Sequence, residues 1–294
     1  MSIRRWIEGC LLAWCVPLAH ADACHDALAV FDYARAQQSA QMQLTAIPGD
    51  AMAQMCIARA AYETGHFVEA LDALRRVETQ QPQAALRTYL YNWLTVTLRK
   101  LGRDAEAMQY GQVALTTARR EPNQQNLATA LHNFAGLAYS RGDAVRAVRA
   151  YQESIPLNPD LSERSASLNN LGLIVQAQGD RTQAAAWMNQ AIALNRAHGH
   201  THHLGKHLMN LGNLQRERGQ FAEAQRMFDE GATLIDRVGD RYWQAVAARY
   251  RGWLARDERD WATASRWLAL AAHRYEVAGA VADAVAVREE LSRL

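Results

Sequence analysis

Apolar and small residues recur along most of this chain at positions 4, 7, 8 and 11, then 20, 24 and 27, of a segment that restarts every 37 to 40 residues. One copy reads Leu168, Leu171, Gly172 and Val175, then Ala184, Met188 and Ala191. Steps of three and four put side chains on one face of an α-helix, so each segment predicts two amphipathic helices. Six such segments begin near Ala51, Thr88, Ala128, Ser165, Gly205 and Ala245. Between the two helices, Gly142-Asp143, Gly179-Asp180 and Gly219-Gln220 supply the left-handed residue that stops the first one. In the sixth segment Arg259 takes the glycine's place. Self-similarity at this period predicts a stack of supersecondary units, each burying its apolar face against the next.

Glycine or alanine at positions 8 and 20, as in Gly172 with Ala184 and Gly212 with Ala224, predicts close approach of the paired helices. A larger side chain there would overpack the contact, at a cost of roughly 1–3 kcal/mol. Repeats one and three end at Pro82 and Pro159 and are followed by the shorter, 37-residue step. The three extra residues elsewhere are close to one helical turn, so the second helices of the later repeats should run about a turn longer. Residues 22–50 read as an N-terminal capping helix (Asp22 to about Gln38) and a linker. Repeats fill 51–279, and 280–294 read as a capping helix.

The paired helices with small residues at positions 8 and 20 resemble the tetratricopeptide repeat. The 37–40-residue step, the Leu-x-Asn-Leu-Gly box (Leu168 to Gly172, Leu208 to Gly212) and the Gly-Asp after the second helix (Gly239-Asp240) are similar to the long-repeat class of kinesin light chains and LGN adaptors. The likeness covers residues 50–280. It implies an all-α fold, a right-handed superhelical α-solenoid of stacked helix-turn-helix repeats.

Composition narrows the class. Hydrophobic residues make up 49% of the chain but aromatics only 8%, so alanine carries much of the packing, as close helix contacts require. The first 21 residues read as a cleavable secretory signal: Arg4 and Arg5, an apolar run from Cys10 to Leu18, then Ala19-His20-Ala21. That run is too short to span a bilayer. Without the signal, 30 basic residues face 29 acidic ones, which gives no electrostatic reason to expect nucleic acid or an anionic membrane. No other long apolar stretch offers a membrane span. The expected location is the periplasm. Its oxidising environment would join the two remaining cysteines, Cys24 and Cys56, in a structural bridge; the alternative is two separate buried thiols.

Candidate chemistry is thin. The chain has no Gly-x-Ser-x-Gly elbow, phosphate-binding glycine loop or His-Glu-x-x-His, so no catalytic residue and no cofactor is expected, and the reading is non-enzymatic. The exception is a turn holding His198, His200, His202, His203 and His207, five of the ten histidines. Imidazoles bind Zn²⁺ or Cu²⁺, and His203 and His207 would share a helix face if the helix starts early. A metal-binding or sensory role is therefore the alternative function; the plainer reading is a polar inter-repeat loop.

In tetratricopeptide arrays the first helix of each repeat lines the concave side, so positions 2, 5, 6, 9, 12 and 13 should face a groove. Position 6 reads Cys56, Trp93, Asn133, Asn170, Asn210 and Tyr250. An asparagine amide both donates and accepts, so it can pair with a peptide backbone of any sequence. The resemblance implies extended-peptide binding by Asn133, Asn170 and Asn210. Arg59, Arg99, Lys100, Arg216, Arg249 and Arg256 share the face with Tyr62, Tyr89, Trp93, Tyr139, Tyr250 and Trp253. Guanidinium forks suit carboxylates and aromatic rings give anchoring area, so the expected partner is a protein or extended peptide with acidic and apolar residues. The competing reading is that the asparagines bridge neighbouring helices and the arginines keep the face wet.

Overall fold

A computed structural model describes residues 23–28 and 32–294; the expected signal segment, 1–21, lies outside them. Among the described residues the regular structure is helical. A helix over residues 23–28 (α1) is followed by α2 (Tyr33–Ala46). Six helix pairs come next: α3 (Ala51–Glu63) with α4 (Phe67–Thr79), α5 (Ala84–Lys100) with α6 (Asp104–Ala118), and α7 (Gln124–Ser140) with α8 (Ala144–Leu157). The later pairs are α9 (Leu161–Ala177) with α10 (Arg181–His198), α11 (Thr201–Glu217) with α12 (Phe221–Val238), and α13 (Arg241–Asp257) with α14 (Trp261–Val277). A last helix, α15 (Val281–Leu291), packs on α14. This is an all-α repeat solenoid.

The expected single helix over residues 22–38 is divided instead. Asp32 caps α2, accepting from the Arg35 backbone N–H, and α2 runs on to Ala46, through the residues expected to form a linker. The later second helices run about a turn longer, as expected. Helices α10 and α12 have 18 residues and α14 has 17, against 13 and 14 in α4 and α8. The second repeat reaches only 15, because α6 stops at Ala118 and the extra residues pass into a connection containing Pro122.

Each first helix except α3 starts one turn before the point where its apolar pattern begins. Aspartate or asparagine sets the start in several: the side chains of Asp50, Asn123, Asp160 and Asp240 accept from the first-turn N–H groups of α3, α7, α9 and α13. Gly179 ends its helix turn at φ +93°, and Arg259 adopts φ +66° in the equivalent place, the left-handed region that a side chain disfavours.

The glycines at position 8 lie closest to position 24. A Cβ on Gly212 would lie 2.7 Å from the Phe228 ring, one on Gly252 2.8 Å from Leu268, and one on Gly172 2.8 Å from Met188 Cγ. Gly172 also touches position 20, as expected, through the Ala184 carbonyl at 3.1 Å. A second crossing joins positions 1 and 27 of the fifth repeat: Gly205 and Gly231 face each other's carbonyls, at 3.1 and 2.9 Å from the Cβ positions.

The chain divides into two compact units, Met1–Ala150 and Tyr151–Leu294. Within the N-terminal unit, Leu71, Leu74, Leu90, Leu94 and Leu98 form the core between α3, α4 and α5. In the C-terminal unit, Met188, Leu208, Leu211 and Phe228 belong to successive clusters between helix pairs. Successive first helices touch: α3 with α5 and α5 with α7 in one unit, α9 with α11 and α11 with α13 in the other. The second helices α4 and α6, α10 and α12, and α12 and α14 make no comparable contact. First helices therefore pave one continuous face in each unit.

Candidate functional site

The paved face of the C-terminal unit is stitched shut by polar bridges. Asn210 Nδ2 donates to Asn169 Oδ1 at 3.2 Å, and Gln176 Nε2 to Glu217 Oε2 at 2.9 Å. Arg216 pairs with Asp257, and Arg249 with Glu290. Partners in all four stand 41 residues apart. With a 40-residue repeat, position 5 of one repeat thus meets position 6 of the next, and position 12 meets position 13. Asn169, Asp257 and Glu290 were not singled out in the sequence, yet this offset of 41 would have found them.

Trp253 sits at the centre of the last repeat. Arg249 lies 4.8 Å and Arg216 5.3 Å from its ring centroid, and Tyr250 stacks on it at 5.2 Å. Its indole N–H donates to Glu290 at 2.8 Å. Burial works against ionising Glu290, but hydrogen bonds from Arg249 and Trp253 hold its carboxyl below the usual range. Burial pushes the Tyr250 hydroxyl up to about 12. The cations expected to meet a partner are already neutralised here by the protein's own carboxylates.

The expected asparagine ladder is not uniform. Asn210 is buried and committed to Asn169, while Asn170 is half-buried and donates to the Tyr151 hydroxyl at 3.1 Å. Both therefore act as helix bridges in this structure. Asn133 lies half-buried on α7 of the N-terminal unit, one helix from Trp93, and Tyr139 stands exposed at the end of α7.

In the N-terminal unit the rings form a chain: Tyr89 lies 6.3 Å and Tyr62 5.3 Å from Trp93, and Phe67 5.4 Å from Tyr62, all edge to face. Arg59 and Tyr89 line one cavity of about 60 Å³ with Gln43, Met52 and the cysteines. Cys24 and Cys56 are joined in a disulfide with Cα atoms 6.5 Å apart, tying α1 to α3.

The five histidines of the turn are drawn to different neighbours. Helix α11 does begin early, at Thr201, and brings the His203 and His207 rings within 6.0 Å. Yet His207 is buried and its Nδ1 is 2.8 Å from Asn195 Nδ2, while His202 Nε2 is 2.7 Å from Asp240 Oδ2. Among the described residues no three His, Cys, Asp or Glu side chains are placed to hold a metal ion. Burial, with the nearby Lys206 charge, lowers the His203 imidazole to about 4; burial and His203 lower His207 to about 3. Burial opposes charge on Asp240, but His202, the Trp243 N–H and Lys206 hold its carboxyl well below the usual range. These groups are packing members of the α10–α11–α13 junction.

Comparison with known proteins agrees with this architecture. Residues 163–233 match the family model described as tetratricopeptide repeat. A photosystem I assembly protein, Ycf3, of Prochlorococcus marinus strain MIT 9303 is 30% identical over 124 residues, 42% of this chain and 67% of the relative. Two solved structures share the fold: a Rap protein complexed with Competence and Sporulation Factor, and BtubC from P. vanneervenii. The first has a TM-score of 0.62 at 12% identity, covering 94% of this chain and 96% of the Rap chain. The second has a TM-score of 0.56 at 20% identity, covering 74% and 92%. With its paired helices, position-8 glycines and 40-residue register, the chain is a member of the tetratricopeptide repeat superfamily.

Proposed function

We propose that this protein is a non-enzymatic scaffold that holds a protein or extended-peptide partner on the face paved by its first helices, and that it works in the periplasm. The observation that carries the reading is the face itself. It repeats with the chain's period and mixes aromatic rings with cations and amides, the composition of a recognition surface. The relatives' names fit such a role: one structure is a Rap protein complexed with Competence and Sporulation Factor, and the curated relative is an assembly protein. Among the described residues no helix is long and apolar enough to cross a membrane. Periplasmic residence rests on the charged, apolar and small-residue sequence of positions 1–21 and on the Cys24–Cys56 bridge, which an oxidising compartment favours.

Photo-crosslinking in cells tests the binding role. A benzophenone side chain placed at Trp93 or Tyr139 should capture a defined polypeptide. One placed at Val68 or Val145, exposed on the second helices, should not. Equal capture from both sets, or none from the first, counts against a scaffold that works through this face. For localisation, N-terminal sequencing of protein from a periplasmic fraction should begin at Asp22; an intact N-terminus in the cytoplasm refutes export.

A further inference from the structure

The two units treat the same repeat positions differently. In the C-terminal unit, position 5 of one repeat bonds position 6 of the next, as Asn169 does with Asn210, and position 12 pairs with position 13, as Arg216 does with Asp257. Asn92 and Asn133 occupy the first pair of positions in the N-terminal unit, again 41 residues apart. There the bond is missing. Asn92 is 4% exposed, and its Oδ1 has no hydrogen-bond partner. Arg99 occupies position 12, and the residue 41 further on is Ser140, whose hydroxyl bonds the Leu137 carbonyl. No carboxylate answers that arginine.

Arg59 repeats the theme one helix earlier. Its Nε is buried without a partner, and no ion pair is formed by Arg59 or Arg99 among the described residues. Gln43 lines the same small cavity as Arg59; its Nε2 donates to Asp50, while its buried Oε1 finds no donor. The rings of Tyr89, Trp93 and Tyr62 connect these groups: Tyr89 shares the cavity with Arg59, and the Tyr62 hydroxyl feels the charge of Arg99. The face also holds a negative charge, Glu63, which acts on Tyr62 and Tyr33. Two cations and orphaned amide oxygens thus flank an aromatic strip.

We propose that the partner docks on the N-terminal unit, on the α3–α5–α7 face, and that it is a polypeptide segment carrying carboxylate side chains beside apolar ones. This rests on the scaffold reading above and narrows it. Carboxylates pair with the guanidinium groups of Arg59 and Arg99. Apolar side chains cover Trp93 and its neighbours. Guanidinium–carboxylate bonds are the stronger class of hydrogen bond, and the aromatic strip supplies anchoring area beside them. The corresponding face of the C-terminal unit offers less, since its cations and amides already satisfy one another.

The test uses the whole protein, a fluorescein-labelled peptide of alternating glutamate and leucine, and its glutamine–leucine counterpart. The acidic peptide should bind more tightly than the neutral one and weaken with salt. The R59Q/R99Q variant should lose about tenfold in affinity, the effect of removing one or two charge-assisted bonds. R216Q/R249Q should stay close to the wild type. Loss confined to R216Q/R249Q moves the site to the C-terminal unit and overturns this inference while the scaffold role stands. Equal binding of both peptides, no binding of either, or tighter binding of a single-stranded oligonucleotide also overturns it.

Discussion

The side-chain amide of Asn210 on α11 donates to the side-chain oxygen of Asn169 on α9 at 3.2 Å, and both residues are more than nine-tenths buried. The bond staples two consecutive first helices inside the C-terminal unit. Replacing Asn210 with alanine strands the Asn169 oxygen in a dry seam, which should cost roughly 1–3 kcal/mol. N170A, at a half-buried site facing Tyr151, should cost less. Urea melts of the two variants check this; equal losses would mean that the buried bond contributes nothing special.

Gly212 faces a ring with no room to move. Phe228 is fully buried, and an alanine Cβ would stand 2.7 Å from its edge. Overpacking by roughly 1–3 kcal/mol exceeds the helix-propensity gain of about 1 kcal/mol, so G212A should lower the melting temperature. G172A presses chiefly on the flexible Met188 and should be tolerated better. The order of the two melting temperatures decides.

Arg259 holds φ +66° where Gly179 and Gly219 stand in the preceding repeats. A left-handed residue with a Cβ costs roughly 1–2 kcal/mol, while glycine loses about 0.4–1 kcal/mol through the entropy of the unfolded chain. R259G should therefore stabilise the protein by up to about 1 kcal/mol. A lower urea midpoint for R259G would contradict that balance.

Acid should weaken the C-terminal unit. His203 and His207 fold with their proton affinities lowered, to about 4 and about 3, from an unfolded value near 6.5. Between those limits the unfolded chain binds the extra protons, so stability is full above pH 6.5 and falls as pH drops. The slope is roughly 1.4 kcal/mol per pH unit for each imidazole. Urea midpoints at pH 7.5 and 5.0 should differ accordingly, and H207Q should flatten the difference. No change with pH would place both rings in contact with water.

Reducing the Cys24–Cys56 bridge opens a loop spanning 32 residues. Chain entropy assigns such a crosslink roughly 3–4 kcal/mol. Dithiothreitol, or C24S/C56S, should lower the melting temperature and let the α1 segment exchange its amide protons freely. Unchanged exchange in α1 would show that packing alone seats it.

Period, helix pairing, the central glycine turn and the candidate disulfide were all legible in the order of residues. Each depends on neighbours within one helix pair, or on a composition that repeats. Position 8 could be recognised as small, but its contact at position 24 could not, because the rotation of one helix on another is set by side-chain volumes on both. The face was legible as a list of asparagines, arginines and aromatics. Which of them are available was not. Arg216 and Arg249 are neutralised by Asp257 and Glu290, and Arg59 and Arg99 are not, although all four look alike along the chain. A hydrogen-bonded ion pair needs its atoms within about 4 Å, and only the stacking of one repeat on the next brings residues 41 apart within that range.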